Sequence, residues 1–197
     1  MMTEKFRIFF LAMIAGLLIG IGVIINTTFL SIPIMGALLF SFGLLVIIEL
    51  KLPLYTGKIG FAFHGQKHLF AIFLGNVIGI WMLTAIYFGG DPDMMQQITL
   101  VAAVKFSKTS IQMFCYGLMC GFLIHFAVKA KQFYTTIMAI MIFILMGAEH
   151  CIADFPYLLL TSIENFGDNV IKFLLVIAGN SFGAIILEEM LRLNENG

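Results

Sequence analysis

Charge is what this sequence holds least of. Eleven Lys and Arg residues balance eleven Asp and Glu in a chain of 197, so the charged fraction is 11% and the formal net charge is zero, against a hydrophobic fraction of 61%. A soluble domain of this size still leaves about 30% of its unfolded surface in water, and there are too few charges to cover that area. Lipid must cover much of the chain instead. No Lys/Arg run is dense enough to hold nucleic acid, and there is no acidic tail. Cysteine is scarce too: Cys115, Cys120 and Cys151 all lie in apolar segments and form neither a CxxC nor a Cys/His spacing. No metal and no cofactor is therefore expected, and the thiols read as packing residues. There is no nucleophile triad or array of charges of the kind a membrane enzyme would need, so the chain is not read as an enzyme. Nor does a polar mature domain follow the first apolar core, as a cleaved signal peptide would require; the apolar character continues to Leu187.

What is present is long hydrophobic runs. The first charge-free stretch, Ile8 to Ile48, is twice the ~20 residues that span a bilayer as a helix, and it turns at Asn26 to Pro33. Six apolar segments separate at charges and breakers: about Ile8–Ile25, Ile34–Leu50, His68–Phe88, Ser110–Val128, Phe133–Ala148 and Val170–Met190. The second and fifth end abnormally. Each runs into polar and breaking residues, Lys51-Leu-Pro-Leu-Tyr-Thr-Gly-Lys58 and Gly147-Ala-Glu-His-Cys-Ile-Ala-Asp154, and then into a short apolar piece. Both read as helices broken inside the membrane, which is tolerated only where protein or a watery cavity satisfies the freed backbone.

The breaks sit in matching halves. Ala15–Val23 recurs as Cys120–Val128 at an offset of 105, and Gly75-Asn-Val-Ile-Gly79 recurs as Gly179-Asn-Ser-Phe-Gly183 at an offset of 104. Repeats of three spans each are inverted relative to one another, an arrangement that places a site at the midplane between two interrupted helices. The expected fold is an all-α integral membrane bundle of six transmembrane helices. It forms one domain over residues 1–197, with repeat one at about 6–90 and repeat two at about 105–193. Asn76 and Asn180 are positioned to bond the freed backbone, and the glycines to let helices approach; plain helix packing is the other reading of both. Lys5, Arg7, Lys67, Lys129, Lys131 and Arg192 on one side outnumber Lys105, Lys108 and Lys172 on the other. Both termini are therefore expected in the cytoplasm, with the protein in the plasma (inner) membrane.

His150, at the second break beside Glu149 and ahead of Asp154, is the candidate for chemistry, since an ionisable side chain at membrane depth is functional by default. The alternative is a neutral imidazole bonded to a backbone carbonyl. His125, in mid-span, reads as structural. Lys105 is either a simple solvated lysine or one that reaches into a vestibule and attracts anions. Lys58 and Asp154 occupy equivalent ends of the two breaks: either they pair across the pore, or Lys58 reaches the surface while Asp154 caps a helix alone.

Four segments, Leu54-Tyr-Thr-Gly57, Gly117–Val128, Glu149-His-Cys-Ile-Ala-Asp154 and Ile177–Gly183, resemble the signature stretches of the formate/nitrite transporter family, and the resemblance extends over nearly the whole chain. It implies an aquaporin-like protomer, commonly a homopentamer with one pore per protomer. Typical permeants are formate, nitrite, hydrosulfide and lactate. It further implies that Thr56 bonds the central His150, that Leu54, Tyr55, Phe40, Leu44 and Phe143 narrow the pore around it, and that Lys105 is the vestibule lysine. This chain departs from the pattern at Gly121, Lys58 and Asp154, where Asn is usual, and at Pro53, where Glu is usual. Gly121 for Asn would remove one polar donor to the permeant. The resemblance is to a short member, without the family's amphipathic N-terminal helix.

The function so implied is a channel for small monovalent anions of weak acids, proton-linked through His150, with the bilayer and no nucleic acid as surroundings. The alternative is an aquaporin-like pore for a small neutral solute, although no Asn-Pro-Ala pair occurs in the sequence.

Overall fold

The structure, a computed structural model, describes residues 3–195. In chain order its helices are α1 (Glu4–Thr28), α2 (Pro33–Glu49), α3 (Tyr55–Lys58, running into a 3-10 turn at Ile59–Phe61), α4 (Leu69–Gly90), α5 (Pro92–Phe106), α6 (Ser110–Ala130), α7 (Phe133–Leu145), α8 (Cys151–Leu159) and α9 (Phe166–Glu195). Of these, α1, α4, α6 and α9 are long and apolar enough to cross a bilayer. With 17 and 13 residues, α2 and α7 reach only about 25 and 20 Å of the ~30 Å hydrocarbon core. Each is continued, after a five-residue gap, by α3 or α8. These are the broken second and fifth helices of an aquaporin-like six-span bundle.

The two halves are built alike. α1 packs on α4 as α6 packs on α9, α1 on α2 as α6 on α7, and the halves meet along α2 and α7. Close approach explains the repeated glycines. A Cβ at Gly16 would lie 2.1 Å from the Asn76 carbonyl oxygen, and one at Gly121 would lie 2.1 Å from that of Asn180; no other residue allows backbones this near. Large apolar side chains such as Phe10, Phe42, Phe70, Ile86, Ile111, Tyr134 and Phe182 face outward, the reverse of a soluble protein.

The breaks are also built alike. After α2, Lys51 turns into the left-handed region at φ 54°; after α7, Gly147 does so at φ 68°. The same backbone bonds close both turns, Leu52 N–H to the Ile47 carbonyl and Ala148 N–H to the Phe143 carbonyl, each at 2.9 Å. One helix lay outside the six expected segments. α5 starts on an Asp91 cap followed by Pro92 and buries Met94, Ile98, Ala102 and Phe106. Its mixed polar and apolar sequence gave no span-like run, and it carries Lys105 in its last turn.

Candidate functional site

Opening a helix in the membrane leaves N–H and C=O groups without partners, and each costs several kcal/mol in hydrocarbon. Two asparagines, both fully buried, resolve this. Asn76 Nδ2 donates to the Ala12 carbonyl at 2.8 Å and to the Pro53 carbonyl at 3.0 Å, and its Oδ1 accepts the Tyr55 N–H at 2.8 Å. Asn180 Nδ2 donates to the carbonyls of Gly117 and Glu149, both at 2.8 Å, and its Oδ1 accepts the Cys151 N–H at 2.9 Å. Each amide ties its own break to the neighbouring long helix.

Between the clasped residues stand Leu54 in one half and His150 in the other. His150 caps α8 with its own ring: Nδ1 accepts the Ala153 N–H at 3.1 Å, and Nε2 lies 2.9 Å from Thr56 Oγ1. An Nδ1 that accepts carries no hydrogen, so the neutral ring holds its proton on Nε2 and donates it to Thr56. A proton can be added at Nδ1 only by giving up the cap.

On the α5 side of His150 lies a cavity of about 180 Å³, whose lining includes Asn26, Phe40, Phe143, Tyr157 and the charged residues. Phe40 and Phe143 meet edge to face at 5.9 Å, and Phe143 stands 6.2 Å from the His150 ring. Above them, Glu149, fully buried, accepts from Lys105 through Oε2 and from Lys108 through Oε1. Asp154 Oδ1 accepts from Lys105 at 2.9 Å. Two lysines thus face two carboxylates, and the cluster is formally neutral. Burial by itself would lower the Lys105 pKa, but Asp154 and Glu149 beside the ammonium raise it well above the ordinary lysine range.

On the opposite side, toward the chain termini, a cavity of about 370 Å³ is lined by Leu44, Leu54, Gly57 and, among charged groups, Glu49, Lys51, Lys58 and Lys131. Neither reading of Lys58 and Asp154 describes this arrangement: the two do not pair, and Asp154 does not stand alone. Both residues follow their breaks at the same spacing, but α3 and α8 leave the centre in opposite directions, so Lys58 lines one cavity and Asp154 the other. Asp154 pairs with Lys105. Tyr55, like Thr56, is not among the residues lining these two cavities. With its N–H held by Asn76, its ring meets Phe73 edge to face at 5.2 Å and its hydroxyl sits 3.0 Å from Ser181 Oγ.

The sequence model of the formate/nitrite transporter family matches residues 1–193. The chain belongs to that family. A comparison with curated proteins finds none that matches. Among solved structures, the chain resembles a pentameric formate channel with formate bound (TM-score 0.80, 21% identity, 98% of this chain and 97% of that one). It also resembles an ion channel of the same family (TM-score 0.82, 19% identity, 98% and 91%). Both confirm the fold. The family and these neighbours are channels and transporters, not enzymes.

Within the formate/nitrite transporter fold, Gly121 is not a vacated pore position, as the missing Asn had implied. It faces the Asn180 backbone, where any side chain would separate α6 from α9. Lys108 escaped the sequence reading because nothing in its spacing marked it as a partner of Glu149. A second buried cluster escaped it as well. His125 Nε2 lies 2.9 Å from Glu188 Oε2, and Glu188 also takes Lys129 at 3.2 Å and Arg192 at 2.8 Å. The available signal was Glu188 itself, a carboxylate one helical turn before Arg192.

Proposed function

We propose that this chain is a channel for small monovalent anions of weak acids, such as formate, working as a pentamer with one pore in each protomer. We further propose a plasma-membrane location with both termini cytoplasmic, and one domain with repeats at about 6–90 and 105–193. The observation that carries the reading is the meeting of the two breaks at the Thr56–His150 hydrogen bond, with a charged cavity on either side and apolar walls between.

A bare anion in the apolar stretch faces a desolvation barrier of about 20 kcal/mol in the idealised limit. Taking up a proton removes most of it. The anion is collected at a lysine-lined mouth, passes Phe40, Phe143, Leu44 and Leu54 as its neutral acid, and loses the proton on the far side. His150, through its Nε2–H and Thr56, offers a polar contact in the narrow part. Proton coupling follows from the permeant's own acid–base step, with His150 holding tautomer and geometry. Lys105 contributes a fixed ammonium inside a neutral cluster, whereas Lys51, Lys58 and Lys131 outnumber Glu49 at the opposite mouth.

The test is uptake of formate, nitrite and hydrosulfide by proteoliposomes, measured beside osmotic water flow. Acid uptake without accelerated water flow is expected. Water flow without acid uptake would replace this reading with the neutral-solute pore.

A further inference from the structure

The cavity on the side of the chain termini differs from the one beside His150 in charge and in size. Three lysines from three elements line it: Lys51 in the turn after α2, Lys58 at the end of α3 and Lys131 capping α6. One carboxylate, Glu49, faces them. None of the three ammonium groups pairs with a carboxylate among the described residues, whereas beside His150 the ammonium groups of Lys105 and Lys108 are matched by Glu149 and Asp154. The inverted repeat supplies an internal comparison, since the second break has Gly147 and Asp154 where the first has Lys51 and Lys58. Lys51 and Lys131 also hold left-handed backbone, at φ 54° and 52°, a conformation that glycine adopts freely and a side chain strains. That strain is borne at two positions that line the same cavity.

We propose that this cavity binds a small organic dianion, a short hydrocarbon chain with a carboxylate at each end, which occupies the mouth and closes it to the permeant. The binding site stands on the cavity itself; its role as a block rests on the reading of the chain as an anion channel. The volume of about 370 Å³ falls within the range of about 300–1,000 Å³ usual for small-molecule sites, and is more than a one-carbon anion needs. Three lysines against Glu49 leave two positive charges in excess, which match two carboxylates, and Ile47, Leu52 and Val128 give the chain between them an apolar wall. Leu44 and Leu54 line the same cavity and stop the dianion there. The Born cost of desolvation rises with the square of the charge, so a dianion faces about four times the barrier of a monoanion, and a single proton does not neutralise it. It is held at the mouth without passing.

Succinate is the probe, with butyrate as the monoanion of the same chain length and sulfate as a dianion without a chain. Isothermal titration of the full chain in detergent is expected to show succinate binding at least about tenfold tighter than either, and weakening as salt is raised. K58Q/K131Q should lose about tenfold in succinate affinity, and K58R/K131R should retain it. In proteoliposomes, succinate on both sides of the membrane should slow formate uptake several-fold. Succinate that binds no tighter than butyrate or sulfate overturns the proposal on the wild type alone, which covers the case of a variant that does not assemble. Unchanged affinity in K58Q/K131Q puts the ligand elsewhere and overturns it as well, as does formate uptake that saturating succinate leaves at its full rate. Absence of formate uptake by the wild type is a different result: it removes the channel reading and the block with it, while the titration still decides whether the dianion site exists.

Discussion

Asn76 and Asn180, 104 positions apart, make the same three hydrogen bonds: two from the amide nitrogen, to a carbonyl in a break and to one on a neighbouring long helix, and one from a half-helix N–H to the amide oxygen. Their equivalence is the inverted repeat expressed in single atoms.

Removing either clasp should destabilise the fold. At about 0.6 kcal/mol for each hydrogen bond between membrane helices, N180A and N76A should each cost about 2 kcal/mol. N180D should be worse than N180A, because it aims oxygen at two carbonyls. Thermal unfolding in detergent measures this, and an N180A melting point equal to the wild type would refute the clasp.

The break after α2 uses Lys51 where the break after α7 uses Gly147, both in the left-handed region. A side chain there is strained by about 1 kcal/mol. K51G should therefore raise the melting temperature, and G147A should lower it. The prediction fails if the two substitutions shift stability in the same direction.

Lys105 joins two buried carboxylates, so its loss strands charge. K105M should cost about 3–5 kcal/mol. Since Lys108 still serves Glu149, K105M/D154N should recover a large part of the loss, with a coupling of at least about 1 kcal/mol in a double-mutant cycle. Additive damage would show that the pair does not matter energetically.

The raised pKa of Lys105 fixes a sign for pH dependence. A lysine whose folded pKa lies above its unfolded value stabilises fully below the unfolded value, and that contribution fades only as pH climbs through the folded one. Between about pH 6 and about pH 9 the ammonium is therefore constant. A change of formate flux across that window is therefore not due to Lys105, and the neutral-acid route expects flux to rise as pH falls through the permeant's own protonation. A K105R variant should keep the same profile; a profile that shifts with K105R would contradict this account.

The imidazole tautomer is directly observable. Nitrogen NMR of labelled histidine should show His150 Nδ1 bare and Nε2 protonated, since Nδ1 accepts from Ala153. T56V removes the acceptor of the Nε2 proton and should lower formate flux several-fold without unfolding the protein. A proton found on Nδ1 would reverse the assignment.

Much of this architecture was legible in the sequence. Hydropathy marked the six segments, because lipid admits few charges. Asn76, Asn180 and the repeated glycines marked the clasps, because backbone opened in a membrane needs fixed donors and close neighbours. The direction of side chains after a break was not legible. Lys58 and Asp154 look equivalent along the chain, yet inversion sends their half-helices to opposite faces. Tyr55 looks like its neighbours Leu54 and Thr56, yet one residue of helical rotation turns it toward Ser181. α5 was missed because an amphipathic helix lying beside the spans has no long apolar run, and with it went the reason Lys105 reaches Glu149.

The clasps also bear on the order in which the protein is made. Every group of the first clasp lies between Ala12 and Asn76, and every group of the second between Gly117 and Asn180. A nascent chain paused after α4 already holds all the partners its first break requires, so that break can enter the membrane before the second half exists. Packing is crossed, however: α3 leans on α6, and α8 leans on α4. The first half can be complete in hydrogen bonds while its half-helix still lacks a wall, and synthesis of the second half supplies it.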